Sequence, residues 1–337
     1  MKKIAILLVN LGSPKSTSVS DVKDYLHQFL SDQRVIEANP LMWKFILNCF
    51  ILPFRPKQSA EKYKQIWLAN NQSPLIFYTQ QQTKLLQNLL NNFDSDSNNN
   101  YKFYVDYAMR YGDIELSISK KLDNLQQQQY ENIIVIPLYP QYSATTTATV
   151  TDEVFRWLLT IRNQPKINYI KDFFDNENYI NLLASNIKNY WKNNTKNSTL
   201  SPFLVISFHG IPQKYSDAGD PYYNQCIKTA NLLIEKLNLS INKNSKITFQ
   251  SQFGNDPWLQ PYTIDSVKEL ALQGHKRVDV ICPGFVADCL ETLEEINMEN
   301  RHEFLANGGQ EFNYIPAFNE SEAFAEILKE LVIKEIK

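Results

Sequence analysis

One histidine of this 337-residue chain stands where a reactive side chain is expected. His209 follows the apolar run 203–206 and precedes Gly210, so it would project from the end of a buried strand into a ligand crevice. An imidazole there can act as a base or as a metal ligand. The position equally suits a histidine that only satisfies a loop carbonyl, and both interpretations stay open. The other three histidines lie in amphipathic or polar stretches and are His27, His275 and His302.

Two acidic residues follow the last apolar run at a spacing that suits a joint role. Glu291 and Glu295 belong to the sequence DCLETLEE, which begins at Asp288. In a helix they would be i and i+4 and share one face. Carboxylates that close repel each other, so the pKa of at least one should rise, or a cation should lie between them. With an imidazole they would suit a divalent first-row metal or a proton relay. An exposed acidic helix start, stabilised by the helix dipole, is the alternative.

Short apolar runs rich in β-branched residues must provide the elements that position these side chains. They lie at residues 4–9, 103–109, 133–138, 167–173, 203–208, 247–253 and 278–282, and amphipathic segments lie between them. Continuous apolar strands of this kind are typical of parallel sheets covered by helices on both faces. The predicted fold class is therefore α/β. At roughly 150 residues per domain the length indicates two domains, with a boundary near residue 150.

The composition excludes several classes of protein. The 34 Lys and Arg residues nearly balance 36 Asp and Glu residues, which argues against a nucleic-acid binder. No glycine-rich phosphate loop is present. The four cysteines are far apart in sequence, which favours free thiols in a reducing cytoplasm. The N-terminal apolar run is too short for a signal peptide, so we expect a cytoplasmic protein.

Residues 41–54 (LMWKFILNCFILPF) form an unusually apolar segment. Fourteen residues are too few to span a bilayer. A buried helix is the first interpretation, and from the residues alone it is the favoured one. An apolar lip that receives a hydrophobic ligand or touches a membrane is the other.

Seven sequence strings, in order along nearly the whole chain, resemble the ferrochelatase family, whose members insert ferrous iron into a porphyrin at the end of haem biosynthesis. The strings are LLVNLGSP in the first strand, SPL from Ser73, AMRYG from Ala108, PLYPQYSATT from Pro137, SFHGIP from Ser207, GNDPWLQP from Gly254 and DCLETLEEI from Asp288. One such string would be weak evidence, whereas seven in the family's order are specific. The chain thus resembles an enzyme, a metal chelatase of the lyase class.

The resemblance implies two Rossmann-like, chelatase-type domains, each with a four-stranded parallel sheet flanked by helices. On this reading residues 1–150 form the first domain and include an apolar lip at about residues 41–57. Residues 151–316 form the second domain, which carries His209 and Glu291. Residues 317–337 form a C-terminal helix that packs back on the first domain. The resemblance also implies a π-type helix in the stretch that contains Glu291.

The resemblance assigns roles to individual residues. His209 matches the active-site histidine and Glu291 its partner carboxylate, so both are expected to meet the metal. Glu295 continues the acidic line, and all three are expected to be catalytic. The expected substrate-binding residues are Leu11, Tyr63, Arg110, Tyr111 and Trp258. Arg55, Lys57 and Arg110 are candidates to bind the propionates.

The expected substrates are protoporphyrin IX and Fe2+, and the expected product is protohaem. Leu11 resembles the protoporphyrin-using bacterial type, because relatives that use coproporphyrin place a tyrosine there. A coproporphyrin III ferrochelatase is the alternative within the class, and a non-catalytic tetrapyrrole carrier is the alternative outside it. Cobalt chelatases of this fold bring a second histidine to the metal, and no suitable one is present here.

Some relatives bind a 2Fe–2S cluster through cysteines in a C-terminal extension. This sequence has no cysteine after Cys289, so we expect no such cluster and no permanently bound cofactor, iron being a substrate. A thiol at Cys289 could bind a soft metal or be inert, and the inert form is favoured. Peripheral membrane contact through the lip is a further hypothesis.

Overall fold

The computed structural model describes residues 2–97, 101–194, 199–254 and 256–336. Asn255, in the string GNDPWLQP, and the terminal Lys337 lie outside these ranges. The chain divides into two compact units, one formed by Met1–Asp172 with Asn319–Lys337 and the other by Phe173–Phe318.

The described residues form parallel strands, α-helices and two π-helices. The strands are β1 (Lys2–Ser13), β2 (Tyr101–Gly112), β3 (Asn132–Pro137), β4 (Lys166–Tyr169), β5 (Phe203–His209), β6 (Ser245–Gln250), β7 (Arg277–Ile281) and β8 (Glu311–Ile315). The α-helices are α1 (Val19–Ser31), α2 (Pro40–Ile46), α3 (Arg55–Ile66), α4 (Pro74–Ser97), α5 (Ile118–Gln127), α6 (Thr147–Thr160), α7 (Glu177–Asn194), α8 (Gln213–Asp217), α9 (Tyr222–Lys236), α10 (Thr263–Leu272), α11 (Arg301–Ala306) and α12 (Glu322–Ile336). The π-helices are π1 (Leu47–Ile51) and π2 (Glu291–Asn300), and a short 3₁₀ turn covers Ile114–Leu116.

The first unit is built on a four-stranded parallel sheet in the order β2-β1-β3-β4. Residues 4–9 of the central strand β1 are buried, which explains the continuous apolar run in the sequence. Leu7 and Val9 pack on one face against α5 and α6, through side chains that include Leu122 and Trp157. On the other side α4 contacts β1 and β2, and α12 packs on α4.

The second unit repeats this arrangement, with a four-stranded parallel sheet in the order β6-β5-β7-β8. Val205 and Val280 pack with Val267 of α10, Ile296 of π2 and Phe304 of α11 in one apolar cluster. The helix π2 is therefore part of the core that covers this sheet. The α/β fold class predicted from the apolar runs is confirmed, with two all-parallel four-stranded sheets.

The division into units differs from the expected boundary near residue 150, which falls inside α6. The first sheet takes its fourth strand from β4, which pairs with β3, so the first unit extends to Asp172. The described part of the C-terminal segment belongs to the same unit. There the Gln82 side chain donates to the Asn319 carbonyl at 2.9 Å, and the Asn168 side chain donates to the Glu335 carbonyl at 3.1 Å.

Candidate active site

His209 is the last residue of β5 and lies at the carboxyl edge of the second sheet, where α/β folds bind ligands. Its Nδ1 is 2.6 Å from the carbonyl oxygen of Gly210. Because a carbonyl only accepts, Nδ1 carries the proton, and Nε2 of the neutral ring is left to accept a proton or bind a metal. The partly exposed imidazole lies near the rings of Trp258 and Phe285, with centroids 6.3 and 6.5 Å away.

Gly210 lets the Trp258 indole approach the backbone directly after His209. Its N–H donates to the Gln250 carbonyl at 2.7 Å. A Cβ at this position would lie 2.9 Å from that carbonyl oxygen and 3.1 Å from the indole ring of Trp258. The indole N–H donates to the Phe253 carbonyl at 2.9 Å, which fixes the ring plane. A larger residue than glycine would displace the aromatic wall beside the histidine.

Glu291 and Glu295 both lie on π2, the π-helix that the resemblance implies. A π-helix closes i→i+5 hydrogen bonds and is frequent at functional sites. Here the Asn300 side chain also reaches back five residues, and its Nδ2 donates to the Glu295 carbonyl at 2.8 Å. The start of the helix is held by the buried Asp288, whose Oδ1 accepts from the Tyr314 hydroxyl at 2.5 Å and from Thr292 Oγ1 at 3.0 Å.

The Glu295 carboxyl group is held by one residue at the end of β6. The Ser251 N–H donates to Oε1 at 2.7 Å, and Ser251 Oγ donates to Oε2. Burial raises the pKa of Glu295, and the negative charge of Glu291 adds to this rise. The Ser251 donors and the charge of His209 act in the opposite direction and favour the ionised form. The Glu295 carboxyl group therefore lies within electrostatic reach of both His209 and Glu291.

Glu291 has a fixed main chain and a partly exposed side chain. Its carbonyl oxygen accepts from Gln250 Nε2 at 2.8 Å.

Burial, reinforced by the nearby Glu291, raises the pKa of the Cys289 thiol well above its ordinary value. That thiol therefore stays protonated and is a poor metal ligand.

Leu11 stands at the carboxyl edge of the first sheet, between Asn10 and Gly12, which pair with Met109 and Tyr111 of β2. Gly12 has a φ of 107°, and a Cβ there would collide with the Tyr111 carbonyl. The close approach of β1 and β2 thus requires glycine and leaves the Leu11 side chain partly exposed.

The Asp32 carboxylate, in the same unit, binds both Arg110 and Tyr111. Arg110 Nη2 lies 2.6 Å and the Tyr111 hydroxyl 2.9 Å from Asp32 Oδ2. The side chains of Arg110 and Asp32 are only 11% and 7% exposed. Burial raises the pKa of Tyr111. Arg110 is therefore already neutralised by a buried partner, which argues against its use as a propionate ligand.

Tyr63 of α3 is connected to Tyr111 by a row of aromatic rings. Tyr111 packs edge-on against Phe29 at 5.3 Å, Phe29 stacks on Tyr25 at 6.2 Å, and Tyr25 meets Tyr63 at 6.3 Å between ring centroids. Tyr63 is itself buried, so its main contribution is to this row.

The apolar segment 41–54 is largely exposed, so the burial favoured from its residues alone is wrong. Leu41, Phe45 and Phe54 are 82%, 61% and 70% exposed. Only Leu47 and Leu52 are fully buried there. The helices α2 and π1 are short. A narrow face packs on the first unit, and apolar side chains project from the opposite face.

The structure gathers four of the expected site residues in the second unit: His209, Glu291, Glu295 and Trp258. Leu11, Arg110 and Tyr111 lie at the carboxyl edge of the first sheet, and Tyr63 lies in α3, after the end of the lip. Sequence reasoning missed four residues that hold or flank these side chains, namely Asp32, Gln250, Ser251 and Phe285. The polar pair Gln-Ser, which interrupts the run 247–253, was the available signal for two of them.

Within the residues that the structure describes, no three His, Cys, Asp or Glu side chains are grouped so as to form a metal site. In the same ranges, no helix has the length and apolar character needed to cross a bilayer.

Comparison with known proteins gives a family match over nearly the whole chain. The ferrochelatase family model matches residues 3–336. The ferrochelatase of Dechloromonas aromatica (strain RCB) is 46% identical over 327 residues, which cover 97% of this chain and 86% of that protein. The ferrochelatase of Francisella tularensis subsp. tularensis (strain WY96-3418) is 46% identical over 336 residues, covering 99% and 96%.

Among solved structures, SirB from Bacillus subtilis with Fe3+ matches with a TM-score of 0.53 at 15% identity, covering 98% of this chain and 95% of that one. This likeness shows a shared chelatase-type fold. The family match and the two relatives identify the chain as a member of the ferrochelatase family, a metal chelatase of the lyase class that acts in haem biosynthesis.

Proposed function

We propose that this protein inserts Fe2+ into protoporphyrin IX to give protohaem, the last step of haem biosynthesis. The observation that carries the proposal is the end of β6, where Gln250 binds the Glu291 carbonyl and pairs with His209, and Ser251 binds the Glu295 carboxylate. The His209 ring in turn lies 6.3 Å from that of Trp258. Insertion replaces two protons on the pyrrole nitrogens by one Fe2+, so the site must take up protons and tolerate a cation.

His209 acts as the base and as a metal contact. Its Nδ1 is engaged by the Gly210 carbonyl, so Nε2 is the atom that accepts a pyrrole proton or meets the incoming iron. A planar porphyrin hides its nitrogen lone pairs in the ring plane. Binding in a bent form exposes them, and rigid aromatic neighbours such as Trp258 can impose that form.

Glu291 and Glu295 supply the negative charge that the step needs. The Glu295 carboxylate is fixed by two hydrogen bonds from Ser251, so we assign the transfer of protons out of the site to Glu291, whose side chain is partly exposed. In this division Glu295 stabilises the protonated histidine, and Glu291 meets the metal and carries protons away. The iron is a substrate in transit, and we propose no 2Fe–2S cluster and no resident cofactor.

The remaining wall of the porphyrin site is apolar and aromatic. In the second unit it consists of Trp258 and Phe285, whose rings lie near that of His209. Leu11 and Tyr111 of the first unit are further proposed substrate-binding residues. Arg110 orients Tyr111 by stacking on its ring, with the guanidinium carbon 4.5 Å from the centroid. The propionates then pair with the exposed cations Arg55 and Lys57.

Leu11 supports protoporphyrin IX over coproporphyrin III, because it resembles the residue of the protoporphyrin-using bacterial type. A four-carboxylate substrate would also need more cationic contacts, and the internal pairing of Arg110 with Asp32 removes one. A carrier would need the aromatic wall but not a base with two carboxylates beside it.

The free cysteines support a reducing compartment such as the cytoplasm.

The lip, residues 41–57, is proposed to touch a membrane surface, which would bring a poorly soluble porphyrin to the enzyme. Its exposed apolar side chains include Leu41, Phe45 and Phe54, and the exposed cations Lys44 and Lys57 lie among them. Apolar groups inserted between headgroups and cations attracted to anionic lipid are the two components of interfacial binding.

The substrate proposal predicts rapid anaerobic insertion of Fe2+ into protoporphyrin IX and slow insertion into coproporphyrin III. The measurement is the loss of porphyrin fluorescence with both porphyrins in parallel. A preference for coproporphyrin III would retain the chemistry and contradict the use of Leu11. Tight binding of both without insertion would make the protein a carrier.

Replacing His209 by alanine should lower kcat for insertion at least about 100-fold, because a general base contributes on that order. The dissociation constant for protoporphyrin IX, measured by fluorescence titration, should change by less than about twofold, since the aromatic wall remains. His302→Ala is the matched control, because His302 is exposed in the same unit. Wild-type insertion by the His209 variant would show that another group is the base.

The lip proposal predicts that the protein co-sediments with vesicles that contain anionic lipid. The triple variant Leu41→Ser, Phe45→Ser, Phe54→Ser should stay in the supernatant, because it loses most of the exposed apolar area. The control is Phe155→Ser with Leu159→Ser, two exposed apolar residues of α6 that lie outside the lip and should not matter. Equal binding by the triple variant and the wild type would contradict a lip contact.

A further inference from the structure

Ser251 has a backbone conformation that is uncommon for its residue type. It follows the last residue of β6 and has a φ of 66°, in the left-handed region that favours glycine, and asparagine among larger residues. This conformation ends the strand at Gln250, three residues before the apolar run in the sequence ends at Phe253. Such conformations cost free energy and concentrate at functional sites.

The left-handed turn directs two donors of one residue at one carboxylate. The main-chain N–H of Ser251 binds Glu295 Oε1 at 2.7 Å, and its hydroxyl binds Oε2. The cost of the conformation is thus offset by two hydrogen bonds to a largely buried acidic group.

Gln250, the residue before Ser251 and the last of β6, is hydrogen-bonded to the same helix, π2. Gln250 is buried, its Oε1 accepts from Ser207 Oγ at 2.8 Å, and its Nε2 donates to the Glu291 carbonyl at 2.8 Å. Gln250 therefore binds the main chain of Glu291, the first residue of π2. Ser251 binds the side chain of Glu295, four residues further along that helix. Because Gln250 also pairs with His209 across the sheet, the same strand end relates the carboxylate to the histidine.

We propose that Ser251 is a positioning residue for metal insertion, which acts by holding the Glu295 carboxylate in register with His209. This inference rests on the proposed function, because it assigns Ser251 a role through a group of that site. It adds a residue that makes no contact with the reacting atoms and yet determines where the second carboxylate lies.

The test compares Ser251→Gly with Ser251→Ala in steady-state anaerobic insertion and in thermal melts. Both variants lose the hydroxyl and keep the N–H, but only glycine accepts the left-handed backbone without cost. We expect kcat to fall about tenfold in both, as for the loss of one charge-assisted hydrogen bond, with KM for the porphyrin unchanged. The glycine variant should melt at or above the wild-type temperature and the alanine variant below it.

The two roles are separated by comparing kcat with the melting temperature. If Ser251 had only a structural role, kcat would follow the melting temperature of each variant. Asn238→Gly is the matched control, because exposed Asn238 has a φ of 54° in the same unit and should change only the melting temperature. A crystal structure of Ser251→Gly should show the Glu295 carboxylate displaced from its present position.

Wild-type kcat in the glycine variant would overturn the assignment of Ser251, and so would a lower kcat with an unmoved Glu295 carboxylate. A wild-type protein that inserts no metal would overturn the proposed function as well. The two failures are distinguished by the wild-type rate, which is measured first.

Discussion

The anchoring of the wide helix π2 at the carboxyl end of β6 is the constraint on which the candidate site depends. A π-helix is uncommon by itself and persists where neighbouring groups support it. Here the support comes from Asp288 at its start, from Gln250 on the Glu291 carbonyl and from Ser251 on the Glu295 carboxylate. Because Gln250 also pairs with His209, a buried sheet determines where the acidic groups and this histidine lie.

The two units repeat one sheet order but differ in what they place at the carboxyl edge. The second unit carries His209 and both carboxylates. The first unit carries Leu11 and an aromatic row, and its buried cation Arg110 is neutralised by Asp32. In the proposed function the residues that take up protons and meet the metal therefore all belong to the second unit.

Periodicity in the sequence was sufficient for the fold class and for seven of the strands, because buried parallel strands are continuous apolar runs. It missed β8 (EFNYI), where polar and apolar residues alternate, and therefore placed no strand there. The burial favoured for residues 41–54 from their apolar character is wrong, because exposure depends on which face a short helix turns to its unit. The position of His209 at a strand end was readable, but the Ser251 contact was not, since it depends on a left-handed backbone that no apolar pattern encodes. The pairing of Arg110 with Asp32, 78 positions apart, likewise required the folded chain.

The most direct test of the account is a crystal structure of the protein with metal-free protoporphyrin IX bound. The proposed function predicts a bent macrocycle against Trp258, with a pyrrole nitrogen in hydrogen-bonding reach of His209 Nε2, directly or through one water. Glu295 should remain bound to Ser251 in that complex. A flat macrocycle whose nitrogens lie far from His209 and from both carboxylates would contradict the account.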